Sequence, residues 1–142
     1  MIQRPQTVFL LLGAALLVAF DSLGAVWSPG VSAVAPVLTS VTYTLGVAAA
    51  VVALGAVFLY KDRARQRTVI GVGQGLALAA AAPILVGLFT AQPVGAAGAP
   101  SEATAVPYLV ALVPLVAFVL LRMARRGVDR DIATVRSMDR LR

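Results

Sequence analysis

Asp21 is the residue of this sequence best placed to do chemistry, because it lies inside a long apolar segment, between Phe20 and Ser22. A carboxylate within a membrane span suggests a proton or cation site, since burying its charge in lipid is costly. Two structural alternatives remain open: the helix ends early and leaves Asp21 among the lipid headgroups, or Asp21 hydrogen-bonds Ser22 or another helix. No Lys, Arg or His occurs at that depth to neutralise the charge. A structural role is therefore favoured over transport.

Gln74 is the second polar side chain of interest, and we expect it to hydrogen-bond a neighbouring helix. The surrounding glycines, Gly71 to Gly75, do not form a dinucleotide-binding fingerprint, because Leu76 occupies a position that requires Gly or Ala and no βαβ unit is predicted. The sequence contains no Cys and no His. Thiol nucleophiles, imidazole bases and the usual zinc and haem ligands are therefore excluded. We expect no catalytic residue, no cofactor and no metal site.

The composition indicates a membrane protein of one domain. Hydrophobic residues make up 60% of the 142 positions and charged residues only 13%, where a soluble domain has roughly a quarter charged residues. A soluble core of this size cannot hide so much apolar surface. We expect an all-α membrane protein, a bundle of four transmembrane helices with an amphipathic C-terminal helix on the cytoplasmic side.

Four segments are long enough to cross a bilayer, which takes about 20 helical residues. They lie at about 7–27, 42–60, 68–90 and 104–121, and residues 122–142 form a basic tail. The first segment has an alternative interpretation as a cleaved signal peptide. We expect a retained span instead, because its apolar run is long for a signal core.

The distribution of Lys and Arg predicts the orientation. All twelve fall before the first span, between the second and third, or after the fourth, and seven of them follow position 121. Because positive residues remain on the cytoplasmic side, we expect both termini in the cytoplasm, at a bacterial inner membrane. The net charge of +6 then indicates contact with anionic headgroups rather than with nucleic acid.

Small residues predict how the helices pack, because helices in lipid associate through close backbone approach. The third span has a small residue or proline at every fourth position, and the second span has a weaker version that includes Gly46. We expect this stripe to pack the second and third helices tightly together, with Pro83 only bending its helix. The stripe consists of Gly71, Gly75, Ala79, Pro83 and Gly87.

The tail has apolar residues at three- and four-residue steps, which is typical of an amphipathic helix. We expect its Val128, Ile132 and Val135 to pack on the cytoplasmic end of the bundle or on a partner. The polar residues expected to contact a partner or headgroups are Arg4, Arg136, Asp139 and Arg140. A solvated tail that only sets the topology is the alternative.

Both ends of the chain resemble a known family. The start, Met1-Ile2-Gln3-Arg4-Pro5-Gln6-Thr7, and the ending, with Val135-Arg136-Ser137 and Asp139-Arg140-Leu141-Arg142, are similar to those of a bacterial family of small four-span membrane proteins, a domain of unknown function. Pro5 stands where that family usually has another apolar residue. The resemblance implies a four-helix inner-membrane protein and no activity.

The favoured function is a non-catalytic accessory or scaffold subunit of an inner-membrane assembly, either with another membrane protein or as a homo-oligomer. A small oligomeric channel or transporter that uses Asp21 is the alternative. A membrane enzyme is the least favoured, because the sequence lacks the usual nucleophile and base.

Overall fold

The computed structural model describes residues 5–25, 31–32, 35–90 and 102–139, and it describes the side chains of these residues except 87–90, 102–108 and 139. Four long α-helices account for most of this part of the chain. Their bounds are α1 Pro5–Ser22, α2 Pro36–Phe58, α3 Arg63–Thr90 and α4 Glu102–Asp139.

The helices form an antiparallel ring in which each one packs mainly against two others. α1 and α3 both lie between α2 and α4. The interior consists of three stacked apolar layers, centred on Phe20, Leu17 and Leu10. Alanines fill most of the remaining interior positions, including Ala49, Ala77 and Ala117. Their small side chains let the backbones approach closely, which is how helices associate in lipid.

Three of the four helices are long and apolar enough to cross a membrane: α1, α2 and the segment Arg63–Val86 of α3. Large apolar side chains cover the outside of the bundle, for example Phe58 at 78% exposure and Val37 at 67%. Such a surface suits lipid better than water, because contiguous apolar patches are small on soluble monomers.

Three helix ends differ by several residues from the predicted boundaries, and one of them is the start of α3, at Arg63 rather than near residue 68. α1 ends at Ser22 rather than near residue 27, so Asp21 lies in its last turn. α2 begins at Pro36, six residues before the predicted start, because proline fits the first turn of a helix, where no backbone donor is needed. The turn between α2 and α3 is short, and Asp62 closes it by accepting a hydrogen bond from the Arg65 amide at 3.0 Å, as helix-capping residues do.

The largest correction concerns the tail. The structure has no separate C-terminal helix, since α4 continues without a break through Gly127 to Asp139. Its 38 residues extend over roughly 57 Å. Val128 is fully buried, and Ile132 packs against the same apolar layer, while Val135 is 41% exposed. Docking of the tail on the bundle is therefore correct for Val128 and Ile132 but not for Val135.

Candidate functional site

Four polar side chains at the contacts between helices lie opposite a glycine. A Cβ added at Gly24 would overlap the Tyr43 hydroxyl, and one at Gly46 would overlap the Asp21 carboxylate. The backbone at these positions leaves room for a polar group that no other residue would admit. The four pairs are Gly24 with Tyr43, Gly46 with Asp21, Gly71 with Arg125, and Gly127 with Gln6.

Asp21 lies between α1 and α2, at the end of the bundle opposite the basic residues. A Cβ at Gly46 would lie 2.9 Å from the Asp21 carboxyl carbon, so the carboxylate rests on the α2 backbone. Its Oδ1 is buried and has no hydrogen-bond partner among the described residues. The position is also unfavourable for a negative charge, because the last turn of a helix carries the negative end of the dipole. The structure thus brings one predicted polar residue to one predicted packing glycine.

Arg125 is the corresponding residue in the other half of the bundle. Its Nη1 donates a hydrogen bond of 3.3 Å to Gln74 Oε1 and would lie 3.2 Å from a Cβ at Gly71. Gln74 therefore bonds a neighbouring helix, and Gly71 makes room for a guanidinium rather than for helix α2. The Nε2 of Gln74 is buried without a partner among the described residues.

Further polar contacts join the helices at the basic end, which we define as the end that holds the start of α1, the α2–α3 turn and the last turns of α4. Arg67 and Asp129 form an ion pair of 2.7 Å between α3 and α4. Gln66, which is 1% exposed, donates to the Ala56 carbonyl at 2.9 Å. The ion pair fixes the register of α4 against α3, and the Gln66 hydrogen bond joins α3 to α2.

As an interior packing surface, the predicted small-residue stripe of α3 is wrong at Gly75 and Ala79, whereas Gly71 and Pro83 are half-buried. Gly75 and Ala79 are exposed, and a Cβ at Gly75 would meet nothing within 4 Å. A spacing of four residues drifts by about 40° at each step around a helix of 3.6 residues per turn, so the stripe winds off the interior face. The surroundings of Gly87 lie outside the described part of the chain. Residues at mixed steps of three and four form the real interior face: Gln66, Ile70, Gly73, Gln74, Ala77, Ala80, Ala81 and Ile84.

The outward side of α4 carries three arginines at four-residue steps: Arg122, Arg126 and Arg130. All three are exposed. Within the described residues, none of their guanidinium groups makes a hydrogen bond or ion pair. Toward the other end of α4 the same side is apolar and includes Val116 and Val119, which are about half exposed.

Of the residues predicted to contact a partner, Arg136 lines a surface groove at the basic end. Arg4, Arg140 and the side chain of Asp139 lie outside the described residues. The sequence analysis assigned Arg122 and Arg125 to the basic tail and predicted no separate role for either residue. No signal in the sequence separates the two arginines, because positions three apart are neighbours on the surface of a helix.

The chain matches the family described as Domain of unknown function (DUF4293) over residues 2–141. It belongs to this family. The predicted resemblance to an uncharacterised family is thereby confirmed, and it extends over nearly the whole chain. No curated protein and no solved structure matches the chain.

Proposed function

We propose that this chain is a four-span, non-catalytic subunit of a bacterial inner-membrane assembly and that the outward side of α4 is its docking surface. Both termini and the basic end face the cytoplasm, in line with the one-sided placement of Lys and Arg. The observation that carries the proposal is Arg122, an exposed arginine without a partner among the described residues, which lies deeper in the bundle than the start of α1.

The depth of Arg122 follows from the contacts between α4 and α1. A Cβ at Gly127 would touch the Gln6 side chain at 3.2 Å, and one at Gly13 would touch Leu121 at 3.3 Å. Arg122 precedes Gly127 by five residues, so it lies about 7.5 Å further into the bundle than Gln6.

That level lies within the hydrocarbon of a bilayer. The 18 residues of α1 extend roughly 27 Å, slightly less than the ~30 Å of a bilayer core, so nearly all of α1 is needed to cross. The Cα–Cβ bond of Arg122 tilts toward the start of α4, which is toward the membrane centre. The side chain must therefore turn back to reach the headgroups, or it must find a partner at that depth.

The partner is a different protein rather than a second copy. The six acidic residues of this chain are Asp21, Asp62, Glu102, Asp129, Asp131 and Asp139. Asp21 and Glu102 belong to the opposite end, and the other four lie at or beyond the level of Gln6. A parallel second copy thus brings no carboxylate to Arg122. The partner expected is a transmembrane helix with a carboxylate about two turns inside its cytoplasmic end.

Site-specific photo-cross-linking in native membranes tests this proposal. A photoreactive residue at Val119, beside Arg122 on α4, should give a discrete cross-link to another membrane protein. The matched control is Val51, which is 61% exposed on α2 and should react with lipid only. Equal cross-linking from both positions, or cross-links only to a second copy, would contradict the proposed surface.

The orientation is tested separately. Reporters fused after Arg67 and Arg142 should report the cytoplasm, and reporters near Gly30 and Gly98 should report the exterior. A C-terminal reporter on the exterior would exclude the four-span arrangement.

A second candidate function rests on Asp21. Its buried Oδ1 lacks a partner among the described residues, as expected of a carboxylate that takes up a proton or a cation. The transport hypothesis requires a water-accessible route to this carboxylate, which labelling of an Asp21→Cys variant with a water-soluble thiol reagent would detect.

A further inference from the structure

The groove at the basic end combines positive charge with apolar surface. It has a volume of about 870 Å³ and lies between the α2–α3 turn and the last turns of α4. Its lining comprises Tyr60, Lys61, Asp62, Arg63, Ile132, Val135 and Arg136.

The charge of this groove is positive. Three cations line it, against a single carboxylate, Asp62. Asp62 is already engaged, since its Oδ2 pairs with Arg65 Nε at 3.1 Å and its Oδ1 accepts from the Arg65 amide. Lys61 and Arg136 therefore keep their charge available to a ligand. Arg63 is held at the joint between the two helices by a hydrogen bond of 3.2 Å from Nη1 to the Asp131 carbonyl.

The rest of the groove suits a lipid better than a soluble anion. Ile132 and Val135 supply an apolar wall, and Val135 is 41% exposed. Tyr60 is 56% exposed, and the Lys61 ammonium lies 5.9 Å from the centre of its ring. An aromatic ring beside a cation at the end of a membrane helix is typical of the bilayer interface. Inorganic phosphate would use the cations but not the apolar wall.

We propose that this groove binds one anionic phospholipid. The phosphate contacts Lys61, Arg63 and Arg136, and the glycerol with the first carbons of an acyl chain lies along Val135 and Ile132, which lead back toward the membrane. Basic pockets on the cytoplasmic side of membrane helices bind headgroups in this way. The inference rests on the proposed placement of the basic end at the inner leaflet. It adds a defined site, in which the lipid bridges the α2–α3 turn and the end of α4.

Native mass spectrometry of the detergent-solubilised full chain tests the site. Phosphatidylglycerol or phosphatidylcholine is added at equal concentration, and the bound lipid is counted. The wild type should retain one phosphatidylglycerol with a preference of about tenfold or more over phosphatidylcholine, because each basic residue near a headgroup favours anionic lipid. The double variant Lys61→Gln/Arg136→Gln should lose this preference.

The matched control is Arg126→Gln/Arg130→Gln, which removes the same charge from the outward side of α4. It should keep the preference, and circular dichroism should show both double variants folded. An equal loss in the control, no preference in the wild type, or displacement of the lipid by millimolar inorganic phosphate would overturn the proposal. So would a lipid-free groove that cross-links to a protein from Val135. None of these results bears on cross-linking from Val119, so the proposed function fails or stands independently.

Discussion

Arg125 and Arg122 lie three residues apart on α4, yet their surroundings differ. Arg125 faces the interior, where Gln74 accepts its hydrogen bond and Gly71 leaves space for its guanidinium. Arg122 faces outward and has neither among the described residues. The comparison separates an arginine that the bundle accommodates from an arginine that it leaves on its surface. In the proposed assembly, a partner protein satisfies the second.

The glycines make the same distinction. Gly46 gives Asp21 its space, whereas Gly75 faces outward with nothing near it. Both glycines lie in the middle of apolar helices. Their surroundings differ, so we expect a substitution to matter at Gly46 and to be tolerated at Gly75.

The largest effect is expected for Gly46→Ala. The new methyl group would overlap the Asp21 carboxylate, and overpacking of this kind costs about 1–3 kcal/mol. The measurement is the free energy of unfolding in detergent. The control Gly75→Ala should be neutral or stabilise by up to ~1 kcal/mol, because alanine favours a helix more than glycine does.

A double variant shows whether Asp21 is the cause. Asp21→Ala should remove most of the penalty of Gly46→Ala, because it removes the group that the methyl overlaps. Equal stability of the Gly46 and Gly75 variants would disprove the account of the glycines.

Arg125→Leu is expected to have the next largest effect. It leaves the amide of Gln74 buried without its hydrogen bond, which costs about 1–3 kcal/mol, partly offset by removal of a charge from an apolar bundle. The double variant Arg125→Leu/Gln74→Leu should recover most of the stability, since apolar replacement of both partners is nearly neutral. Additive losses in the thermal unfolding of the three variants would show that the two residues are not coupled.

The smallest effect is expected for Asp21→Asn. The amide is close in size to the carboxylate and retains one acceptor oxygen, so folding and partner cross-linking from Val119 should both be preserved. Loss of a cellular phenotype with intact folding would instead support the transport hypothesis.

Hydropathy and turn residues were enough to predict the four long helices of the described residues, but not that the tail continues the fourth helix. The helical spacing of apolar residues in the tail also predicted that Val128 and Ile132 pack on the bundle. The interior face of α3 could not be predicted from the small residues alone, because a spacing of four is compatible with more than one face as the helix turns. Only the contacts with α2 and α4 fix its rotation.

The depth of Arg122 in the bundle could not be predicted for a different reason. By hydropathy, the fourth span ends at Leu121, and the next residue is counted as cytoplasmic. The depth of a residue in the bundle depends on the helices packed beside it, however. The contact between Leu121 and Gly13 shows that, at Leu121, α4 has not yet reached the level at which α1 begins. A single sequence contains no information on this axial offset between helices.

The most direct test of the docking surface compares Arg122→Leu with Arg130→Leu, using the Val119 photo-cross-link in native membranes as the readout. Both variants remove one arginine from the same side of α4, but in the proposed membrane placement only Arg122 lies at hydrocarbon depth. Arg122→Leu should keep or raise thermal stability in detergent, because an arginine in a span is unfavourable. It should also reduce the cross-link about tenfold or more, as loss of a buried charge pair does. Arg130→Leu should leave the cross-link intact. An undiminished cross-link in a well-folded Arg122→Leu variant would contradict the account.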